Sequence, residues 1–294
     1  MASRFRYEVE SFLSENMIYY RIPDKYILIP DHKITLFLME MDREILSSVE
    51  SISVTESRYG DCLHTKNRYK QFAIYEDLWF TKGNIIRNRL LANFGLGARI
   101  FARRCRIEKI NAVEAKEFLE VNHLIGDAKS LFRYGLFYKE ELVSVATFSA
   151  SRPMEREGRI VRSYEWVRYA NKGSLRVVGG MGKLLDHFVV TERPEEIMSY
   201  ADIDWSDGDV YRKLGFVQIG ETPPVKFYVN SETYERIPAK KLLRDRKYRV
   251  EESKQNEIRE DLSSKNLPEN LPPGRYALIL NSGNLKFLRS FSLF

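Results

Sequence analysis

Histidine and cysteine are scarce in this chain, with four and two residues in 294. The cysteines, Cys62 and Cys105, permit at most one disulfide, and no Cys/His spacing fits a zinc site. No metal is therefore expected, and the thiols read as reduced cysteines of an intracellular protein. Long apolar runs are also missing. No stretch reaches the roughly 18 apolar residues of a spanning helix. The opening segment MASRFRYEVESFLSENM has no apolar signal-peptide core. A soluble, cytoplasmic protein with no membrane partner is expected. No internal repeat is found.

What is present is a 44% hydrophobic chain, enough for one large or two small cores. Charged residues make up 30% and the net charge is +6, an excess that suits a polyanion but that many proteins carry without one. Residues 4–15 have helical apolar spacing. Short strand-like runs follow at 18–22, 26–29 and 34–39, punctuated by Pro23 and Pro30. Residues 44–64 are patternless, and 65–96 read as mostly helical with Gly95 as the C-terminal cap. A basic run with Arg99, Arg103, Arg104, Arg106 and Lys109 opens the next segment, and Asn111 to Glu114 form a capping box. Residues 132–138 and 142–148 alternate as a hairpin, 152–159 read as a charged loop, and 160–170 as a long strand. A glycine turn, a helix carrying Met181, Leu184, Leu185, Phe188 and Val189 on one face, a strand at 197–201, a helix at 207–214 and two short strands complete the pattern. The order predicts an α+β fold with one central mixed sheet. Boundaries are expected at 1–98, 99–230 and 231–294, the last a basic C-terminal extension.

Two segments carry candidate chemistry. Val178, Gly179, Gly180 and Gly182 form a glycine-rich turn at a helix start. Backbone N–H groups and the helix dipole there favour a pyrophosphate, and Lys183 or Arg176 adds charge. A tight strand-to-helix connection needs the same glycines. Tyr211 lies on the short helix that closes on Leu214-Gly215-Phe216. Its hydroxyl suits a general acid, and its ring equally suits packing under the sheet. His123 reads as a base or a helix cap. Asp202 reads as a base at a strand's carboxyl end or as a cap of the Trp205 loop.

From Arg99 to Asn230 the chain resembles the GNAT family of acyl-CoA-dependent N-acyltransferases. The resemblance implies acetyl-CoA or a related acyl-CoA as donor. Val178, Gly179, Gly180, Gly182 and Lys183 would line its pyrophosphate, and Tyr211 would protonate the leaving thiolate. One departure stands out: Val177 occupies the place where the family has Gln or Arg.

A wider set of motifs is similar to a group of bacteriophage proteins whose GNAT-like domain is related to the Mom DNA-modification proteins. The set is Phe118-Leu119-x-x-Asn122-His123-x-x-Gly126, Tyr134-Gly135-Leu136, Val178-Gly179-Gly180, Ser199-Tyr200-Ala201-Asp202, Trp205-Ser206, Tyr211-x-Lys213-Leu214-Gly215-Phe216 and Gly283-Asn284-Leu285-Lys286-Phe287. In that group the domain often follows one similar to the very-short-patch repair endonuclease, in proteins labelled homing endonucleases. Ile29-Pro30-Asp31-x-Lys33-Ile34 and Tyr75-Glu76-Asp77-x-Trp79-x-x-Lys82 resemble that nuclease, a small restriction-endonuclease-like α/β domain. Its metal-binding carboxylates are replaced by Tyr26 and Phe37, so no nuclease activity is expected; Glu40, Asp42 and Asp61 read as surface carboxylates.

The combined expectation is a DNA-acting, GNAT-like acyltransferase that modifies a base amine in a phage-infected bacterial host. The alternative is a catalytically silent DNA-binding protein. Candidate DNA contacts are Lys66, Arg68, Lys70, Arg87, Arg89, Arg103 and Arg104. Arg244 and Arg246 join them in the basic run 236–249, which reads equally as a solvated helix face.

Overall fold

The computed structural model describes residues 3–23, 26–41, 69–241 and 275–291. They form helix α1 (Arg4–Glu15), strands β1 (Tyr26–Ile29), β2 (Ile34–Met39) and β3 (Lys70–Tyr75), and helices α2 (Glu76–Thr81) and α3 (Gly83–Phe94). Next come β4 (Arg99–Phe101), β5 (Arg106–Lys109), helix α4 (Ala112–Asn122), β6 (Phe132–Tyr138), β7 (Glu141–Phe148), β8 (Arg152–Arg156), β9 (Arg159–Asn171) and β10 (Arg176–Val178). Helix α5 (Gly180–Glu192), β11 (Glu196–Asp202), helix α6 (Asp209–Lys213), β12 (Val217–Thr222), β13 (Lys226–Asn230), β14 (Arg236–Pro238), β15 (Tyr276–Leu280) and β16 (Asn284–Ser290) follow. No helix among them is long and apolar enough to cross a membrane.

The chain clusters into two compact units. One takes Met1–Thr81, Ile203–Trp205 and Pro223–Gly283; the other takes Lys82–Asp202, Ser206–Thr222 and Asn284–Phe294. This division differs from three consecutive segments. Helix α3 belongs with the second unit, and the expected C-terminal extension is shared between both. The reason is strand pairing: β16 sits between β11 and β12 in the second unit's sheet, whereas β13 and β15 complete the first unit's core.

In the first unit β1 and β2 are antiparallel and β2 and β3 parallel. Phe37, Met39, Ala73 and Tyr75 pack with Val229, Ala277 and Ile279, which β13 and β15 supply. Two readings are corrected here. Residues 70–75, expected to be helical, are strand β3, because Phe72, Ala73, Ile74 and Tyr75 are buried together beside β2. Residues 18–22 make only the single bridge Arg21 to Leu28. The aromatic rings that stand for the nuclease carboxylates, Tyr26 and Phe37, are direct cross-strand partners with centroids 5.8 Å apart.

The second unit is built on a mixed sheet in the order β12-β16-β11-β9-β7-β6-β5, with β8 on the amino-terminal half of β9. The segment 152–159, read as a loop, is therefore a hairpin arm, turned at Glu157 and Gly158, both with positive φ. The pairs in the sheet are antiparallel except β9 with β11, and a parallel pair needs a crossover, here α5. Helix α4 packs Ala115, Phe118 and Leu119 against Val145 and Ala170. On the other face α5 lays Phe188 on Phe148, with rings 3.9 Å apart, and edge-on to Phe132 and Tyr164. The expected capping box at Asn111 and Glu114 is formed. The mixed central sheet flanked by helices is the α+β architecture the sequence predicts.

Candidate active site

The sheet of the second unit opens at one place. Strands β9 and β11 pair from Ser163 with Glu196 to Trp166 with Ser199 and no further. Both strands run on, β9 to Asn171 beside β7 and β11 to Asp202 beside β16. A bulge coincides with the parting: Trp166 faces Phe148 and Arg168 faces Thr147, so Val167 is the extra residue. A bulge bends its strand and leaves one residue outside the ladder. The result is a crevice at the carboxyl ends of two parallel strands, where open sheets commonly receive ligands.

Tyr211 lies at this opening. Its hydroxyl and the Ser199 hydroxyl are 3.0 Å apart, and Ser199 donates to the Trp166 carbonyl at 3.0 Å, the last rung before the strands part. The Ser199 hydroxyl is shared between the Trp166 carbonyl and the Tyr211 oxygen, and the Tyr211 hydroxyl itself faces the Tyr200 carbonyl at 3.5 Å. The ring stacks on Phe287 at 5.0 Å and meets Phe216 edge-on at 5.6 Å. Burial raises the hydroxyl above the usual tyrosine pKa, partly offset by the Ser199 bond, so it stays protonated at neutral pH. Neither Ser199 nor the Val167 bulge was singled out as functional from sequence.

The glycine turn starts α5. Gly179 has φ +79°, a left-handed conformation that strains any other residue, and no side chain caps the helix. A Cβ on Gly180 would lie 2.7 Å from the Tyr169 hydroxyl. Gly179 is therefore required by its backbone conformation and Gly180 by the Tyr169 and Val177 side chains packed against it. Gly182 is different, because a Cβ there would meet only Leu214 Cδ2 at 3.4 Å. Its bareness leaves the first-turn N–H groups open to an anion. Val177 is buried, and Val178 is exposed. Lys183 is not directed at the turn: its Nζ donates to the Ala102 carbonyl at 3.0 Å and to the Cys105 carbonyl.

Near the parting of the strands three half-buried basic side chains, Arg168, Arg89 and His123, lie within electrostatic reach of one another. Arg168 donates to the Gly126 and Val167 carbonyls at 3.0 and 2.9 Å. Burial lowers its pKa, with Glu165 and Asp127 opposing. Burial likewise lowers the Arg89 pKa, and the Asp202 carboxylate pulls it back up. His123 caps α4 and accepts the Ile125 N–H at Nδ1, 3.2 Å away. Burial, with Arg168 and Arg89 nearby, drops its pKa to about 3. A neutral imidazole of such low basicity, with one nitrogen engaged, is a poor proton acceptor, so the cap reading fits His123 better than the base reading. Asp127 Oδ1, Ser130 Oγ and Thr147 Oγ1 are buried without a hydrogen-bond partner. Thr147 is the register partner of Arg168.

The proposed nucleic-acid residues scatter. Arg87 and Arg89 are both half-buried. Arg103 and Arg104 are exposed, Arg104 bonded to the Tyr138 hydroxyl at 2.8 Å. Lys70 begins β3, and Lys66, Arg68, Arg244 and Arg246 lie outside the described residues. Among the described residues no group of three or more His, Cys, Asp or Glu is placed to hold a metal.

No protein-family model and no curated protein matches the chain. Solved structures do. One from Corynebacterium glutamicum, described as a histone acetyltransferase and related acetyltransferase, matches at 11% identity over 65% of this chain and 98% of that one, with a TM-score of 0.35. A Bacillus subtilis acetyltransferase in complex with CoA matches at 17% identity, 64% and 99% coverage and TM-score 0.33. A GNAT family acetyltransferase from Elizabethkingia anophelis with acetyl-CoA bound matches at 13%, with the same coverage and TM-score 0.33. At these values the fold description rests on the strand order and pairing given above.

Proposed function

We propose that the second unit is an acyl-CoA-dependent N-acyltransferase of the GNAT type. The observation that carries this reading is the crevice where β9 and β11 part, with the Val167 bulge on one wall and the Tyr211 hydroxyl at its base. In this reading the first-turn amides of α5 hold the donor's pyrophosphate. Amide groups freed at the bulge stabilise the oxygen of the tetrahedral intermediate. The acceptor amine forms its bond to the thioester carbonyl carbon and gives its proton to Asp202. The carbon–sulfur bond then breaks, and Tyr211 protonates the thiolate. His123 has no part in proton transfer.

The acceptor we favour is an exocyclic amine of a DNA base, in keeping with the net charge of +6 and the Mom-like motifs. Such a base must first leave the duplex. The first unit then serves as a DNA-holding element of nuclease ancestry, without nuclease activity. Mass spectrometry of nucleosides from DNA co-expressed with the protein tests this acceptor: an acylated nucleoside absent from the Tyr211→Phe control is expected, and unmodified DNA alongside acetylation of protein or small amines would overturn it.

One observation favours a second reading, a catalytically silent DNA-binding module. The Tyr211 hydroxyl is already satisfied by Ser199 and its ring is locked on Phe287, as a purely structural tyrosine would be. The silent module binds DNA but gains no stability from acetyl-CoA.

A further inference from the structure

The missing Gln or Arg of the glycine turn leaves open where cationic contacts for a donor's phosphates come from. Beside the turn, β4 and β10 form a separate two-stranded parallel ribbon. Its register puts Arg99 opposite Arg176 and Phe101 opposite Val178, and all four are exposed. Like charges directly opposite on a ribbon repel, which costs stability unless an anion sits between them. None of Arg99, Arg103 and Arg176 has a carboxylate partner among the described residues. Phe101 is a large apolar ring left 46% exposed, and the Arg103 guanidinium lies over it at 5.0 Å.

The placement of this patch is fixed by Lys183. Its bonds to the Ala102 and Cys105 carbonyls fasten the turn Ala102–Arg104 against the start of α5. A Cβ on Gly179 would stand 3.8 Å from the Ala102 Cβ. The sequence expects Lys183 to contact phosphate; the structure gives it the task of holding two exposed arginines beside the turn.

We infer that the β4–β10 ribbon is a nucleotide subsite for a 3′-phosphorylated adenosine, the nucleotide end of the donor. Adenine lies on the Phe101–Arg103 stack, and the 3′-phosphate bridges Arg99 and Arg176, relieving their repulsion. This rests on the acyltransferase reading for the identity of the donor, but the ribbon is testable without it. It also turns Arg103 away from DNA.

The test is calorimetric titration of the full chain with adenosine 3′,5′-bisphosphate, CoA, dephospho-CoA and acetyl-phosphopantetheine. The wild type should bind the bisphosphate and prefer CoA to dephospho-CoA by about tenfold or more. Arg99→Ala with Arg176→Ala should remove that preference and weaken the bisphosphate about tenfold, with acetyl-phosphopantetheine binding unchanged. Phe101→Leu, a conservative change of the platform, should weaken the bisphosphate and leave the 3′-phosphate preference intact. No bisphosphate binding, or equal binding by the double variant, overturns the inference. So does a double variant that loses only affinity for a short DNA duplex. Bisphosphate binding without acetyl-phosphopantetheine binding supports the subsite and sinks the acyltransferase reading instead.

Discussion

Each unit gathers a cluster of titratable groups, buried in the first and half-buried in the second, and the two are held differently. In the first unit, Asp77 is fully buried and accepts two bonds from Arg236, at 2.6 and 2.7 Å. The guanidinium is held between the rings of Tyr75 and Phe227, each 4.9 Å away. Glu76 accepts the Met41 N–H at 2.8 Å, and Asp204 accepts from Ser282 and Tyr75. Each charge meets an oriented partner. In the second unit, Arg89, Arg168 and His123 crowd together with pKa values pushed down, beside three orphaned polar atoms. A satisfied network is what a scaffold needs. Basic groups whose pKa values are lowered by burial, beside an opening in a sheet, are what a site retains at a cost in stability.

Breaking the first cluster should have the largest effect on folding. Asp77→Ala leaves the Arg236 cation buried and unpaired, and should cost about 3–5 kcal/mol in urea unfolding. A loss below about 1 kcal/mol would show that the ion pair contributes no more than a surface pair. Tyr211→Phe should reverse the pattern. It removes one hydroxyl bond, costing about 1 kcal/mol of stability, yet should lower the rate of acyl transfer about 100-fold or more. An equal loss of stability and rate would make the tyrosine structural.

How much of this was legible in the sequence depends on the range of the contacts. The capping box at Asn111, the β6–β7 hairpin, the α5 stripe and the Tyr211 helix rest on neighbours a few residues apart, and each formed. The place of β16 was not legible. It pairs with β12 across an insertion of about sixty residues that belongs to the other unit, and no local period reports such a pairing. The same holds for Asp204. In sequence it stands where the resembling phage group tends to have a basic residue, a sign of substrate difference, and in the structure it is buried and bonded to Ser282. At the site, the glycine turn was visible because glycine has a local signature. The crevice was not, because it arises from where a ladder stops.

The second cluster predicts a smaller effect, on pH dependence. The folded-state pKa of His123, about 3, lies below its usual 6.5. Between those values the unfolded chain binds the extra proton, so stability falls as pH drops from about 6.5 toward 3 and is fully present above that window. His123→Gln should flatten this slope without removing any ionisation near neutrality from the pH–rate profile. A rate limb near pH 6.5 that disappears in the variant would restore His123 as a base.

The central claim is that the turn at the start of α5 receives the donor's phosphates. Thermal denaturation with and without acetyl-CoA tests it most directly, comparing the wild type with Gly182→Asp. An aspartate in the first turn suits the helix dipole, and its Cβ fits beside Leu214, so the variant should fold at least as well. Its carboxylate would occupy the amides and repel phosphate. The account predicts that acetyl-CoA at about 1 mM raises the Tm of the wild type and leaves that of Gly182→Asp unchanged. Equal shifts in both proteins, or none in the wild type, would contradict it.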